Sequence, residues 1–371
     1  TVARLGGDEF AVILNDVEHA SAIAAVAAKI LSEIDQPVTI DGREVFTSSS
    51  IGVCIFPDDG IDCDALLKHA DSAMYRAKHA GRNQVCFYTE DLAAGALERL
   101  QLESDLRRAL ASHQFELHYQ PRYNLATGHI TSVEALVRWR RSEDELVLPA
   151  EFIPVAEETG LIVPLGEWVL RTACEQMRAW LDSGHRDLRV AVNLSPRQFR
   201  QPDLAATIRA ILDDTGLQSR HLELEITESI AMLDPQVTQR VLEQLSAMGI
   251  CHAIDDFGTG YSSLAYLKRF PIDHLKIDRS FVQGVASDIN DANIVRAIIA
   301  LGLSLELTLI AEGVETIEQH AFLKTHGCHE IQGYLLCKPL APFALSHVLA
   351  PPVRDLSGSD TSRHPAHAGG I

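Results

Sequence analysis

The sequence predicts an α/β chain in which a closed (β/α)8 barrel fills the C-terminal two-thirds and a smaller α/β piece precedes it. From Phe115 to about Leu349, short apolar runs alternate with helical stretches such as Leu165 to Leu181, the pattern of a parallel α/β sheet. Roughly seven or eight strand candidates occur there, enough to close a barrel, and no GxGxxG opens the first unit as a dinucleotide-binding open sheet would require. The ends of the apolar runs also carry polar residues, and in a barrel those ends meet at one face.

Taken in order, the first segment reads as an α/β unit over 1–88. Phe10 to Leu14 is an apolar strand, Ser21 to Glu33 an Ala-rich helix and Val45 to Phe56 a strand. An amphipathic helix follows near Asp64 to His79, and a strand near Gln84 to Tyr88 closes the unit. A sheet of so few strands is expected to leave an open edge. Residues 89–114 contain no Pro, and Leu92, Leu97, Leu100, Leu106 and Leu110 fall roughly on one face, so this stretch reads as a connecting helix. It either transmits orientation between the domains or packs on the barrel. The barrel domain is expected over 115–350. The tail over 351–371 is rich in turn formers and nearly free of apolar residues, and reads as disordered. The chain starts at Thr1, inside a motif, as a fragment of something longer would.

The formal charge is −19, from 51 acidic against 32 basic residues. Such a surface repels nucleic-acid polymers and anionic membranes. No run of 18 apolar residues and no leader pattern is present, so a soluble, cytoplasmic chain is expected, whose longer parent could still be membrane-bound. The seven cysteines, Cys54, Cys63, Cys86, Cys174, Cys251, Cys328 and Cys337, form no CxxC pair and read as reduced thiols.

The strand-end residues are Glu134, Asn193, Glu225, Asp255 with Asp256, Lys276 with Asp278, Glu312 with Glu315, and Gln332. Taken singly, such an acid is more often a helix N-cap or a surface group. Gathered in one pocket, the carboxylates repel one another unless cations bind between them. All-oxygen ligands suit Mg²⁺ or Mn²⁺ rather than zinc, and the 16 His offer no HExxH spacing. The adjacent Asp255 and Asp256 can serve two ions about 4 Å apart, activating water and stabilising a leaving oxygen. Lys276 fits as a cation orienting that water or a phosphate oxygen. The residues alone therefore point as far as a two-metal hydrolase with oxygen ligands.

These strings, in this order, are similar to the EAL family of cyclic di-GMP phosphodiesterases. The motifs are Glu134-Ala135-Leu136 with Arg138, Asn193-Leu194-Ser195, Glu225-Ile226-Thr227-Glu228, the loop Asp255 to Leu264, Leu275-Lys276-Ile277-Asp278, Ala311-Glu312-Gly313-Val314-Glu315 and Gln332-Gly333-Tyr334. The resemblance implies a TIM-like barrel and hydrolysis of the bacterial second messenger cyclic di-GMP to linear pGpG with two Mg²⁺ or Mn²⁺ ions. It implies that Glu134, Asn193, Glu225 and Asp255 hold the first ion and that Asp255 and Asp256 reach the second. Glu312 is then a further ligand or the general base, and Lys276 orients the water. Gln120, Pro121, Arg138, Asp278, Gln332 and Tyr334 are implied on the substrate side. Gly258, Gly260, Tyr261 and Ser262 belong to a loop that, with Glu228, couples metal binding to a homodimer. One departure is the segment Arg140-Arg141-Ser142-Glu143, where the family usually has His-Pro. The alternative is a non-catalytic cyclic di-GMP receptor, but such receptors are expected to have lost acids from the set, and none is lost.

The N-terminal piece resembles the second half of a GGDEF (diguanylate cyclase) domain, on Gly6-Gly7-Asp8-Glu9-Phe10 and on Asp71 to Asn83. In that family the hairpin with this signature binds GTP, so a longer parent could be a cyclase or a GTP sensor. With the first half of that domain missing, no cyclase activity is expected of this chain.

Overall fold

The computed structural model describes residues 1–15, 17, 20–40, 43–45, 47–88, 102–142, 145–259 and 264–349. They fall into two compact units, divided between Ser104 and Asp105.

In the first unit β1 (Val2–Gly6) and β2 (Glu9–Val12) form an antiparallel hairpin, so the Gly6 to Phe10 signature lies at its tip. A helix follows over Ala20–Ile34. β3 (Val38–Ile40) pairs antiparallel with β4 (Arg43–Val45), and β5 (Ile51–Val53) pairs parallel with β6 (Val85–Phe87) across the helix Cys63–His79. That helix begins where Asp62 accepts a hydrogen bond from the Ala65 amide, 2.8 Å. The single strand expected from Val45 to Phe56 is in fact β4 and β5, in different sheets. Thr47 and Ser48 to Ser50 separate them, and such side chains compete for the backbone and favour turns over ladders.

The second unit is the barrel. Of the connecting helix expected over 89–114, a helix over 102–111 is seen, and 89–101 lie outside the described residues, as does the 351–371 tail. β7 (Phe115–Asn124) and β8 (Ile130–Arg140) follow, with the short β9 (Leu146–Val147) paired to the far end of β8. The remaining strands are β10 (Arg189–Asn193), β11 (Leu222–Thr227), β12 (Cys251–Phe257), β13 (His274–Ile277), β14 (Thr308–Ala311) and β15 (Glu330–Ile331). The ring runs β8, β10, β11, β12, β13, β14, β15, β7 and closes on β8.

Seven of these strands are mutually parallel; β7 is antiparallel to both its neighbours. This departs from the all-parallel expectation for a local reason. Only Leu125 to His129 separate β7 from β8, whereas a parallel crossover needs about a dozen residues or more. Asn124 Oδ1 accepts from the amides of Ala126 and Thr127, both at 3.0 Å, and Gly128 takes φ +70°, so the hairpin is written into the turn.

The apolar core lies between strands and helices. Val190, Leu224, Ile254, Leu275 and Leu309 are buried outside the ring, as are Leu165, Leu170, Ala173 and Met177 of the helix Ile162–Asp182. Each large aliphatic side chain buried this way contributes about 1.5–3 kcal/mol. Aliphatic layers usually fill the inside of such a barrel, but here much of that space holds polar groups. No helix of the described residues is long and apolar enough to cross a membrane.

Candidate active site

Strand alternation sorts β7 into two faces. Gln120 and Arg122 point into the lumen. Tyr119 points out and stacks edge-on against Trp180 at 4.9 Å, and Pro121 shares its parity. Pro121 is thus not among the groups brought to the pocket, although the family motif had placed it on the substrate side. β7 and β11 are three places apart around the ring, yet Arg122 reaches both Glu223, at 2.7 Å, and Glu225. Only side chains inside the lumen can meet that way.

Above this layer the expected residues converge. Glu134 lies mid-strand in β8 rather than at a strand end, because β8 runs on beyond the ring to pair with β9. Its Oε1 accepts from Asn193 Nδ2 at 2.7 Å and its Oε2 from Gln332 Nε2 at 2.8 Å. Gln332 Nε2 also donates to Gln120 Oε1 at 3.0 Å, and Gln120 Nε2 donates to the Cys337 carbonyl at 2.9 Å. Lys276, fully buried, places its Nζ 2.7 Å from Glu225 Oε2, 2.9 Å from Asp255 Oδ2, 2.6 Å from Glu312 Oε1 and 3.7 Å from Glu134 Oε2.

Neighbouring residues of a regular strand face opposite ways, so Asp255 and Asp256 should not share a pocket. The register between β12 and β13 shifts between Ile254 and Phe257, and Asp256 takes φ +54°. This bulge turns the second carboxylate toward the first. Carboxylate oxygens of Asp255, Asp256 and Glu312 then lie within 4.8 Å of one another, the one such trio among the described residues.

The electrostatics follow from crowding. Burial, then Asp255, push the Glu312 carboxyl up to about 8, although Lys276 opposes them. Burial, Asp255 and Asp278 push Asp256 up to about 6. Burial alone would lower the Lys276 ammonium, but Asp255, Glu134, Glu225 and Glu312 hold it well above its ordinary value. Two resident cations, Arg122 and Lys276, therefore face more acids than they can neutralise. The oxygen donor set of the trio fits a hard divalent cation, which would take the place of those protons.

Other expected residues line the rim. Arg138 lies on the Glu134 face of β8, half-buried, and Tyr334 is 57% exposed with Lys338 5.5 Å from its ring centre. Asp278 caps the helix Arg279–Gly284 by accepting from the Ser280 amide at 2.9 Å, and it stands beside Asp256. Glu228 Oε2 accepts from the Gly258 amide at 2.8 Å. Gly258 has φ +101°, and a Cβ there would lie 2.9 Å from Phe281 Cε2, so the loop starts from a fixed point. Gly260, Tyr261 and Ser262 lie outside the described residues.

Sequence reasoning missed Arg122, Glu223 and His274, which form the layer below. Each lies two residues before or after an expected site position, Gln120, Glu225 and Lys276, on a strand whose side chains alternate with period two. That parity was the available signal.

Residues 103–339 match the EAL domain family, and residues 1–84 match the diguanylate cyclase GGDEF domain family. The chain is 51% identical over 340 residues to the bifunctional diguanylate cyclase/cyclic di-GMP phosphodiesterase MucR of Pseudomonas aeruginosa, covering 92% of this chain and 50% of MucR. It is 41% identical over 343 residues to the cyclic di-GMP phosphodiesterase PdeR of Escherichia coli, covering 92% of this chain and 51% of PdeR. The chain thus spans about half the length of the curated relatives it matches. Among solved structures, the PaMucR phosphodiesterase in complex with c-di-GMP is similar with a TM-score of 0.65 and 52% identity, over 66% of this chain and 99% of that one.

Proposed function

The chain belongs to the EAL domain family, and from that premise we propose that it hydrolyses cyclic di-GMP to linear pGpG, lowering the level of this bacterial second messenger. The carrying observation is the convergence of Glu134, Asn193, Glu225, Asp255, Asp256, Lys276 and Glu312 from separate strands, with the Asp255, Asp256 and Glu312 oxygens within 4.8 Å. In the reaction a water oxygen bonds to one phosphorus, the P–O3′ bond breaks, and the O3′ gains a proton. Asp255, Asp256 and Glu312 would hold one divalent ion, and Glu134, Asn193, Glu225 and Asp255 the other. Bound there, Mg²⁺ or Mn²⁺ would supply Lewis acidity toward the phosphate and make water a better nucleophile at neutral pH. The trio favours the ligand role for Glu312 over that of general base.

The chain's own groups do the rest. The Lys276 ammonium, set among Glu225, Asp255 and Glu312, is a donor placed to orient the attacking water. Arg138 at the rim offers a charged fork to a phosphate or a guanine edge. Gln120, anchored by Gln332 and the Cys337 carbonyl, presents its amide beside the acids. We expect Gln120→Ala to raise KM for cyclic di-GMP about tenfold while changing kcat less than threefold, the signature of lost uniform binding. Steady-state kinetics on the variant check this, and an equal fall in both constants contradicts it.

Protons and ions should compete for the trio. The Glu312 carboxyl, ordinarily near 4.5, is held up to about 8 in the folded chain, so its proton favours the folded state. That contribution is complete below about pH 4.5 and is lost as pH rises toward 8. Added Mn²⁺ replaces the proton, so its stabilising effect should be larger at pH 8.5 than at pH 6. Thermal melts with EDTA or Mn²⁺ at both pH values check this; equal gains in Tm contradict it.

The EAL domain is proposed to work as a homodimer, with the loop after Gly258 coupling the pocket to the partner and Glu228 holding its start. The GGDEF piece is proposed to be non-catalytic here and to serve GTP binding in a longer parent.

A further inference from the structure

Below the acids lies the Arg122, Glu223 and His274 layer, to which the reaction as described gives no task. We infer that Arg122 is a positioning residue of this active site: its guanidinium selects which oxygen of Glu225, and which end of the Gln332 amide, face the ligand carboxylates. The inference rests on the phosphodiesterase reading above.

Arg122 is completely buried. Its Nε donates to Gln332 Oε1 at 2.9 Å, its Nη1 to Glu223 Oε1 at 2.7 Å and its Nη2 to Glu225 Oε1. A guanidinium has donors and no acceptor, so Gln332 must turn its carbonyl toward it. The amide nitrogen then faces Gln120 Oε1 at 3.0 Å and Glu134 Oε2 at 2.8 Å. A rotated amide would set its carbonyl against the Glu134 carboxylate and its NH2 against Arg122, like against like on both sides. Arg122 thereby fixes Glu134 through Gln332.

Glu225 is fixed directly. Arg122 occupies Oε1, which leaves Oε2 for the upper layer, where Lys276 Nζ lies at 2.7 Å. The guanidinium is held from below by Glu223, whose Oε2 lies 2.8 Å from His274 Nδ1. Three acceptors, two on β11 and one directly after β15, are served by one rigid planar fork. A lysine would supply the charge, but a single nitrogen cannot span them.

The test uses the full chain and three readouts: Tm in EDTA, Mn²⁺ affinity by calorimetry without substrate, and kcat and KM on cyclic di-GMP. Arg122→Lys should stay folded, bind Mn²⁺ about tenfold more weakly and lose about 10–100-fold in kcat, with KM within about threefold, as for groups that orient metal ligands. Gln332→Met removes the same link without touching charge and should lower kcat comparably. The double variant should fall within about twofold of the worse single one, because both cut one chain of contacts. Wild-type Mn²⁺ affinity and kcat in Arg122→Lys, or fully additive losses in the double variant, overturn the inference. If Arg122→Lys does not fold, Glu223→Gln takes its place, keeping the cation while weakening one arm of its support, and wild-type values there overturn the inference equally. A wild-type chain that binds Mn²⁺ without hydrolysing cyclic di-GMP would sink the phosphodiesterase reading, while the Mn²⁺ readout would still decide the role of Arg122.

Discussion

Replacing Lys276 by Met should lower kcat for cyclic di-GMP about a thousandfold and make the fold depend on metal. The ammonium is fully buried and serves Glu225, Asp255 and Glu312 at 2.6–2.9 Å. Loss of one preorganised donor at the reacting centre typically costs about 10²–10³ in rate, and here the same group also orients the water. Removing one partner of a buried charge cluster typically destabilises by about 3–5 kcal/mol, because it leaves the others uncompensated. The variant should therefore melt well below wild type in EDTA and recover most of the difference with Mn²⁺, which can enter where the ammonium stood. Single-turnover rates together with melts in EDTA and in Mn²⁺ check this. A variant that keeps wild-type turnover would remove Lys276 from the reaction, and one that Mn²⁺ does not rescue would place the ions away from these acids.

Glu134→Ala should abolish turnover with either ion, a loss of about a thousandfold or more. Glu134 ties Asn193 to Gln332 across the pocket, at 2.7 and 2.8 Å, and no other carboxylate of the set receives both amides. Deleting it removes a proposed ligand, takes the acceptor from the Asn193 amide and leaves the buried Gln332 amide with Gln120 Oε1 alone. Cyclic di-GMP binding should fall much less, since Gln120 and Arg138 remain. Calorimetric titration with substrate beside a rate assay separates the two effects, and equal losses in binding and rate contradict the assignment.

How much of this was legible in the sequence depends on the kind of signal. The barrel was readable because apolar runs alternating with helical stretches repeat across the segment, and Glu225, Asp255, Lys276 and Glu312 stand within or directly after such runs. The direction of β7 was not readable from those runs, although the Asn124 to Gly128 turn held it. The Asp255 and Asp256 pair was visible as a pair, but its shared direction depends on a bulge, and bulges arise from pairing with a neighbour that the local sequence does not specify. Arg122 and Glu223 were hidden for a different reason. Charged residues in the middle of apolar strands look like surface positions until the strands close on one another and turn that face inward. The division of Val45 to Phe56 into β4 and β5 shows the opposite error, in which apolar residues at both ends of a stretch outweighed the Ser and Thr between them.

The central claim, that these acids form a metal-dependent centre for phosphodiester hydrolysis, is tested most directly by incubating the purified chain with cyclic di-GMP and following pGpG. The account predicts product with Mg²⁺ or Mn²⁺, none in EDTA, and restoration when the ion is added back in excess of the chelator. Absence of pGpG with both ions from a folded chain, or turnover unaffected by EDTA, would contradict it.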